Sequence, residues 1–444
     1  MTNIPRLSRA MQETLTEIPN RLARRCGFIQ RQRKFTGALF VQTLVFGWLS
    51  NTEASLEDLA QTAATLGLNI SPQALDERFT EKAARLLEAV LAQAVGQILE
   101  GSAVSISLLR RFKGVYVLDA SVIGLPPELA WRWPGVGGNT AEAGQAALKI
   151  EVMFDLVGGQ LFGPLLLPGR RHDGRGSLPE QVLPQGALRL ADLGYFSLDR
   201  LEALDHNGGF YLSRLKLGSH LFDENGQPFD VLDRLKRAEK AGQQHLEARV
   251  QLGKQHRLDV RLLARRVSEE VATERRRRRH RAAQKRGQTP SKRSLSLCAW
   301  TILVTNVPVE MLSFEEAMAL YRARWQVELL FKLWKHYGGL DKSRSAQPWR
   351  VLCEIYAKLL AMLIQHWVLV TGVWAKADKS LVKAAKTISG HALHLAAYMA
   401  SPGGLMRALA VVVRCLHYGC RMNPRARHPN TYQRLMASEA LSLT

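Results

Sequence analysis

Apolar positions recur at helical spacing over residues 1–110, so this stretch is expected to be helical throughout. Residues 55–66 carry the pattern and Gly67 ends it. Ser71-Pro72 then supplies an N-cap and a first-turn proline for a second helix. Helix, glycine turn and capped helix fit a helix-turn-helix that reads DNA, and they also fit an all-helical accessory bundle. From Val115 the period changes. Residues 115–123 form a near-continuous apolar run rich in β-branched side chains, the pattern of a buried strand. Residues 148–156 and 160–167, parted by Gly158-Gly159, predict a hairpin. A short strand at 187–191 follows, then a helix from Ser197 to about Asn207, stopped by Gly208-Gly209, then a strand at 210–215. Three strands followed by alternating helix and strand describe an α/β core.

Residues 216–296 interrupt that alternation. Runs at 246–252 and 257–264 pair around Gly253-Lys254, which predicts a β-rich insertion. The core resumes with an apolar strand at 297–305, closed by Pro308. Ser313 and Glu316 form a capping-box pattern that opens a helix, and Gly338-Gly339 ends it. From Ser380 the pattern is helical, with a basic end at Arg414, Arg421, Arg425 and Arg427. The expected divisions are 1–110 (helical, DNA-binding), 111–215 (core, first part), 216–296 (basic insertion), 297–375 (core, second part) and 376–444 (helical).

A chain of 444 residues has room for two or three domains, and 46% hydrophobic with 23% charged residues describes a folded protein. The net charge of +22, from 61 Lys and Arg against 39 Asp and Glu, favours a polyanionic partner. Residues 265–293 hold twelve Lys or Arg and three acids, including the run Arg275, Arg276, Arg277, Arg278 and Arg279. Such a run is either a solvated face or a nucleic-acid contact; its density points to the contact. Arg21, Arg24, Arg25, Arg31, Arg33 and Lys34 are read the same way. A membrane is the competing partner. The longest apolar run, 359–374, is broken by Gln365 and His366 and predicts a buried helix instead. The N-terminus has no signal-peptide pattern. Cys26, Cys298, Cys353, Cys415 and Cys420 have no metal-ligand spacing, and reduced thiols in a cytoplasm fit them.

The densest chemistry lies at residues 321–335. On a helix, Tyr321, Arg324, Glu328 and Lys335, at offsets of 0, 3, 7 and 14, fall within a stripe about 60° wide. Trp325 and Leu329 flank it on one side; Val327, Leu330, Phe331 and Trp334 flank it on the other. A carboxylate carried into a cleft beside phosphate-holding cations would have this layout. So would a surface ladder in which Arg324 and Lys332 sit four residues either side of Glu328.

The spacing Y-x2-R-x3-E-x6-K is similar to the signature of the insertion-sequence-four family of bacterial transposases, enzymes of the DDE class. Residues 114–121 around Asp119 and 190–196 around Asp192 resemble that family's other acidic motifs. The resemblance spans about 113–335. It implies a ribonuclease-H-like catalytic core, here α/β, with the β-rich insertion and helical flanks read above. It implies that Asp119, Asp192 and Glu328 are the catalytic, metal-holding carboxylates, with two Mg²⁺ ions that Mn²⁺ can replace. Tyr321, Arg324 and Lys335 would hold DNA phosphate. The partner would be double-stranded DNA, both terminal inverted repeats and target, with a dimer in the active complex and no membrane. The location would be the bacterial cytoplasm, at the nucleoid. The residues themselves agree: Asp119 inside an apolar strand, Asp192 at a strand end and Glu328 on a helix can converge, and oxygen donors suit a hard cation. In some relatives a tryptophan near the insertion stacks a flipped base, which makes Trp300 a candidate; a core tryptophan is the alternative. Glu151 and Asp155 are expected as edge partners of Lys149 or solvent-facing, and Asp173 as a support residue. The Gly-rich loop 135–144 lacks a P-loop ending. A nuclease that cuts without inserting, and an inactive DNA-binding repressor, are the rival functions.

Overall fold

The computed structural model describes residues 3–30, 35–97, 99–135, 145–172, 183–423 and 435. In chain order the helices and strands are α1 (Ile4–Gln12), α2 (Ile18–Arg25), α3 (Gly37–Ser50), α4 (Leu56–Thr65), α5 (Pro72–Asp76), α6 (Glu81–Ala94), α7 (Ser107–Arg110), β1 (Val115–Leu125), β2 (Ala146–Asp155), β3 (Leu161–Pro168), β4 (Leu188–Ala191), α8 (Leu198–His206), β5 (Phe210–Arg214), β6 (Leu221–Phe222), α9 (Val231–Lys240), β7 (His245–Leu252), β8 (Leu258–Arg266), α10 (Glu269–Gln284), α11 (Lys292–Ser296), β9 (Trp300–Thr305), α12 (Phe314–Ala323), α13 (Trp325–Lys332), α14 (Pro348–Gly372), α15 (Leu381–Gly390), α16 (Ala392–Ala397) and α17 (Pro402–Tyr418). Contacts divide the chain into two compact units: residues 1–106, 118–178 and 325–432, and residues 107–117, 179–324 and 433–444.

The strands form one mixed sheet in the order β3-β2-β1-β4-β5-β9-β8-β7-β6. β4 runs parallel to β1 and to β5, whereas β2–β3, β5–β9, β9–β8, β8–β7 and β7–β6 are antiparallel. The first five strands agree with the α/β core read from the sequence. The segment read as a β-rich insertion does contain the hairpin β7–β8, but it also holds α9, α10 and α11, and its strands extend the same sheet.

In the first unit, α14 is buried along its length and packs against α3 and α6. It is long and apolar enough to cross a membrane by length and composition, yet its apolar window lies wholly inside the protein. Its two interrupting polar residues are satisfied there. Gln365 Nε2 donates to the Ala385 carbonyl at 3.1 Å, and His366 Nε2–H donates to the Gly159 carbonyl at 2.7 Å. Burial in apolar surroundings lowers the His366 imidazole to about 4, against which its bond to Gly159 works. Near the N-terminus, Ser55 and Asp58 close a capping box on α4, and Ser71 caps α5. α5 is only five residues long, however, so the helix after the glycine turn is too short to lie along a groove. That disfavours the helix-turn-helix reading of this pair and leaves the bundle.

The second unit has its own core, including Tyr211, Leu235, Leu262, Trp300 and Val304. Here the capping box of α12 is made by Ser313 and Glu316. The Glu316 carboxylate also takes a two-pronged contact from Arg111, at 2.8 and 3.0 Å, which fixes the start of α12.

Candidate active site

β1 is apolar and buried over residues 115–118 and becomes half-exposed at Asp119. The strand thus delivers a carboxylate at the point where it leaves the core. Asp119 is half-buried, less enclosed than its apolar neighbours in sequence suggested, because the burial pattern changes at that very residue. Its Oδ1 accepts from the Ala120 N–H at 2.8 Å. Asp192 follows the last residue of β4, at the N-cap of a short turn over Leu193–Tyr195, and makes no side-chain cap hydrogen bond. Its carboxylate stands at the carboxyl end of a parallel strand, a usual place for a functional group in an α/β sheet.

Within the second unit a set of groups gathers around Asp192. The Tyr321 hydroxyl donates to the Ala191 carbonyl at 3.2 Å, one residue before it. Burial pushes the Tyr321 phenol up to about 12; Arg324 and Arg214 work against that rise, and Asp192 adds to it. The phenol is therefore a protonated donor at neutral pH. Arg324 is buried. Arg214 also belongs to this group, acting electrostatically on the Tyr321 phenol, and the sequence did not reveal it. Ala191 pairs with Ser213, so the next positions on the two parallel strands are Asp192 and Arg214. The signal was strand register, which a linear sequence does not carry.

The helix bearing Glu328 is not one regular rod. α12 ends at Ala323 with Arg324 as its C-cap, α13 carries Glu328, and a wider π turn covers Leu333–Tyr337. Four residues on an even helical lattice would share one stripe; a break at Arg324 and a π turn that includes Lys335 change the angular step between them. One flank is buried as expected, with Val327, Leu330, Phe331 and Trp334 in the core. The other is not, since Trp325 is 59% and Leu329 44% exposed. In the first unit Lys335 Nζ donates to the Val122 carbonyl at 2.7 Å, three residues beyond Asp119 on β1. Burial lowers the Lys335 ammonium, and Asp341 opposes the effect.

Other candidates fare differently. Trp300 is 3% exposed and belongs to the core of the second unit. An enclosed indole offers no face to an extruded base, so the stacking role is corrected to that of a core residue. The basic run lies on α10, where among residues 269–284 only Ala272 is buried. Arg275 is held internally: it donates to the carbonyls of Trp300 at 3.0 Å and Cys298 at 3.4 Å, and to Thr301 Oγ1 at 3.0 Å. Arg276 pairs with Glu269, and Arg277 and Arg278 pair with Glu274. Glu151, Asp155 and Lys149 are buried rather than solvent-facing, because every position of β2 is covered. Asp155 accepts from the N–H groups of Val157 and Gly158, bracing the turn into β3, and Lys149 donates to the Arg171 carbonyl at 2.8 Å. Residues 136–144, Asp173, Arg31, Arg33, Lys34, Arg425 and Arg427 lie outside the described residues.

The proposed ligands are all carboxylate oxygens, the donor type that a hard divalent cation prefers. Among the described residues no three carboxylate, imidazole or thiol groups stand close enough together to hold a metal ion. Asp119 and Glu328 belong to the first unit and Asp192 to the second.

Residues 110–364 match the Transposase DDE domain family. The transposase for insertion sequence element IS231B of Bacillus thuringiensis subsp. berliner is 31% identical to this chain over 363 residues, covering 77% of this chain and 75% of the relative. The transposase for element IS231C of the same organism is 32% identical with the same coverage. The transposase for element IS1151 of Clostridium perfringens is 26% identical over 388 residues, covering 82% and 80%. With the domain match extending from before Asp119 to beyond Lys335, the chain belongs to the DDE transposases of insertion sequence elements.

Proposed function

We propose that this transposase cuts double-stranded DNA at the terminal inverted repeats of its own element and joins the freed ends to target DNA, with Asp119, Asp192 and Glu328 as its catalytic carboxylates. Divalent metal use goes with the DDE domain. Gathered around bound DNA, the two aspartates and Glu328 would hold Mg²⁺, or Mn²⁺ in its place, as a pair of ions. A hard cation held there would supply Lewis-acid polarisation of phosphate oxygens and charge neutralisation at the leaving oxygen.

The observation that carries this reading is the group at the carboxyl ends of β4 and β5. There Asp192 has the Tyr321 hydroxyl beside its strand end, with Arg324 and Arg214 close enough to act on that phenol. Guanidinium groups suit bidentate contact with phosphate, and a protonated phenol can donate to it. Tyr321, Arg324, Arg214 and Lys335 hold the phosphates flanking the scissile bond. At an element end, water attacks the phosphorus and the 3′-oxygen leaves with a proton, which frees a 3′-hydroxyl opposite a 5′-phosphate. That oxygen then attacks a phosphorus of the target strand, whose own 3′-oxygen leaves with the proton. Pairing two ends calls for a dimer in the DNA complex, and the site of action is the cytoplasm. Residues 1–110 and the exposed face of α10 add further points of attachment to DNA.

The test is a reaction of the full chain with DNA carrying both element ends, Mg²⁺ and a target plasmid. Nicks at the ends and joined products are expected. Cleavage without joining would mark a nuclease, and binding without cleavage a repressor; either result would overturn the proposal.

A further inference from the structure

The first unit contains a buried ion pair with no part in the chemistry of cleavage and joining. Glu354 and Lys358 lie one turn apart on α14, with side chains 7% and 1% exposed. Lys358 Nζ donates to Glu354 Oε1 at 2.7 Å, to the Gly339 carbonyl at 2.7 Å and to the Lys342 carbonyl at 2.8 Å. Three acceptors match the three N–H donors of an ammonium. Glu354 Oε2 accepts from Ser343 Oγ at 2.8 Å. One buried pair therefore grips residues 339–343 at two carbonyls and a hydroxyl.

That segment leaves the π turn that carries Lys335. The Gly338 N–H donates to the Leu333 carbonyl at 2.8 Å and the Leu340 N–H to the Trp334 carbonyl at 3.1 Å, which closes the turn. Gly339 has φ +58°, in the left-handed region, so the chain reverses direction where the clamp takes hold. Asp341, inside the clamped segment, acts electrostatically on both Lys335 and Lys358. Upstream, Lys335 is tied to Val122 on β1. A chain of contacts thus runs from α14 through the clamped segment to the motif helix.

Stability gives no reason for this pair. A buried ion pair roughly breaks even against apolar residues of the same volume. An apolar pair would fill the space but leave the two carbonyls without these donors and the segment free to shift. We propose that Glu354 and Lys358 are positioning residues for the reaction: their clamp on residues 339–343 fixes the pitch at which the preceding turn presents Lys335, and the helix before it Glu328. This rests on the reading of Glu328 and Lys335 as site residues.

The test compares the wild-type chain, Glu354→Leu with Lys358→Met as a double variant, and Glu328→Gln. Each is assayed for melting, for Kd on DNA carrying the element ends, and for single-turnover cleavage of pre-bound DNA with Mg²⁺, well below the melting temperature. The double variant leaves no buried charge unpaired but takes the donor from the Gly339 and Lys342 carbonyls, so it is expected to melt somewhat below the wild type and to be fully folded at the assay temperature. It should bind with unchanged Kd and cleave about tenfold more slowly. Lys358→Arg, assayed beside them, keeps the charge, but its planar fork does not meet three acceptors around one nitrogen; it should also cleave more slowly than the wild type, and a wild-type rate would overturn the clamp. A double variant that cleaves at the wild-type rate while Glu328→Gln is inactive overturns the clamp alone. Normal cleavage by Glu328→Gln overturns the site reading and the clamp with it. A rate loss equal to the loss of folded protein reduces the pair to a structural role and also overturns the proposal. If the double variant does not fold, Ser343→Ala at its exposed position is read instead. A loss of about two- to threefold at unchanged Kd and melting temperature is expected, and a wild-type rate overturns the proposal.

Discussion

Tyr321 keeps its proton because its phenol is buried, and this has a measurable consequence away from catalysis. Its folded-state pKa of about 12 lies above the ordinary value of 10.0. The stability it contributes is complete below about pH 10 and is lost as pH rises toward 12, because only the unfolded chain ionises in that window. Tyr321→Phe should therefore flatten the alkaline side of a melting-temperature profile while slowing cleavage of bound DNA; an unchanged profile would show the hydroxyl to be solvated. His366 gives the opposite sign. Its folded-state value of about 4 lies below the ordinary 6.5, so its contribution is present above pH 6.5 and is lost as pH falls toward 4. A gap of that size corresponds to about 3 kcal/mol. His366→Gln should lower stability at pH 7 and remove part of the loss on going to pH 4.5, a difference that chemical denaturation at the two pH values reads directly. Trp300→Ala should cost about 3–5 kcal/mol, as for any large buried aromatic, with no defect confined to a later reaction step. At this scale the sequence named candidates where a residue type met a spacing, as at Asp119, Asp192 and Glu328, the carboxylates of the proposed site. It was ambiguous for Trp300, since a core ring and a base platform both sit among apolar neighbours. Arg214 was invisible, because its partners come from another strand.

The helices and strands were legible wherever burial is one-sided or complete and the ends carry chemical marks. The hairpin β2–β3, the capping box of α12 and the buried α14 all have such marks. α10 has none: with Ala272 as the lone buried residue of 269–284 there is no apolar stripe for periodicity to detect. The break at Arg324 and the π turn at Leu333–Tyr337 were also hidden, since both are choices of hydrogen-bond register imposed by packing. The character of α10 leads to a prediction about the element. The five consecutive arginines of its basic run divide into Arg275, which is tied to β9 and its approach, and the set Arg276, Arg277, Arg278 and Arg279. Replacing those four by Gln should weaken binding to all DNA sequences alike. It should also flatten the slope of log K against log salt by about 0.9 for each phosphate that is no longer neutralised. Arg275→Gln should instead lower the melting temperature and leave that slope unchanged. A slope unmoved by the fourfold variant would return α10 to the role of a solvated face braced by Glu269 and Glu274.

At the scale of the whole molecule, a net charge of +22 favours a polyanionic partner and a DDE domain over residues 110–364 supplies DNA cleavage and joining, which the proposed site assigns to three acids. The two properties should separate. The carboxylates add nothing favourable to phosphate binding, so removing one should leave affinity intact and remove chemistry. The measurement is single-turnover cleavage of DNA carrying the element's own ends by Asp119→Asn, Asp192→Asn and Glu328→Gln, each with Mg²⁺, with Mn²⁺ and with EDTA, beside the Kd of each for the same DNA. The account predicts wild-type cleavage in either metal and none in EDTA. It also predicts, for all three variants, loss of cleavage by at least about a thousandfold at unchanged Kd. Wild-type cleavage that persists in EDTA, or any one variant that cleaves at the wild-type rate, would contradict it.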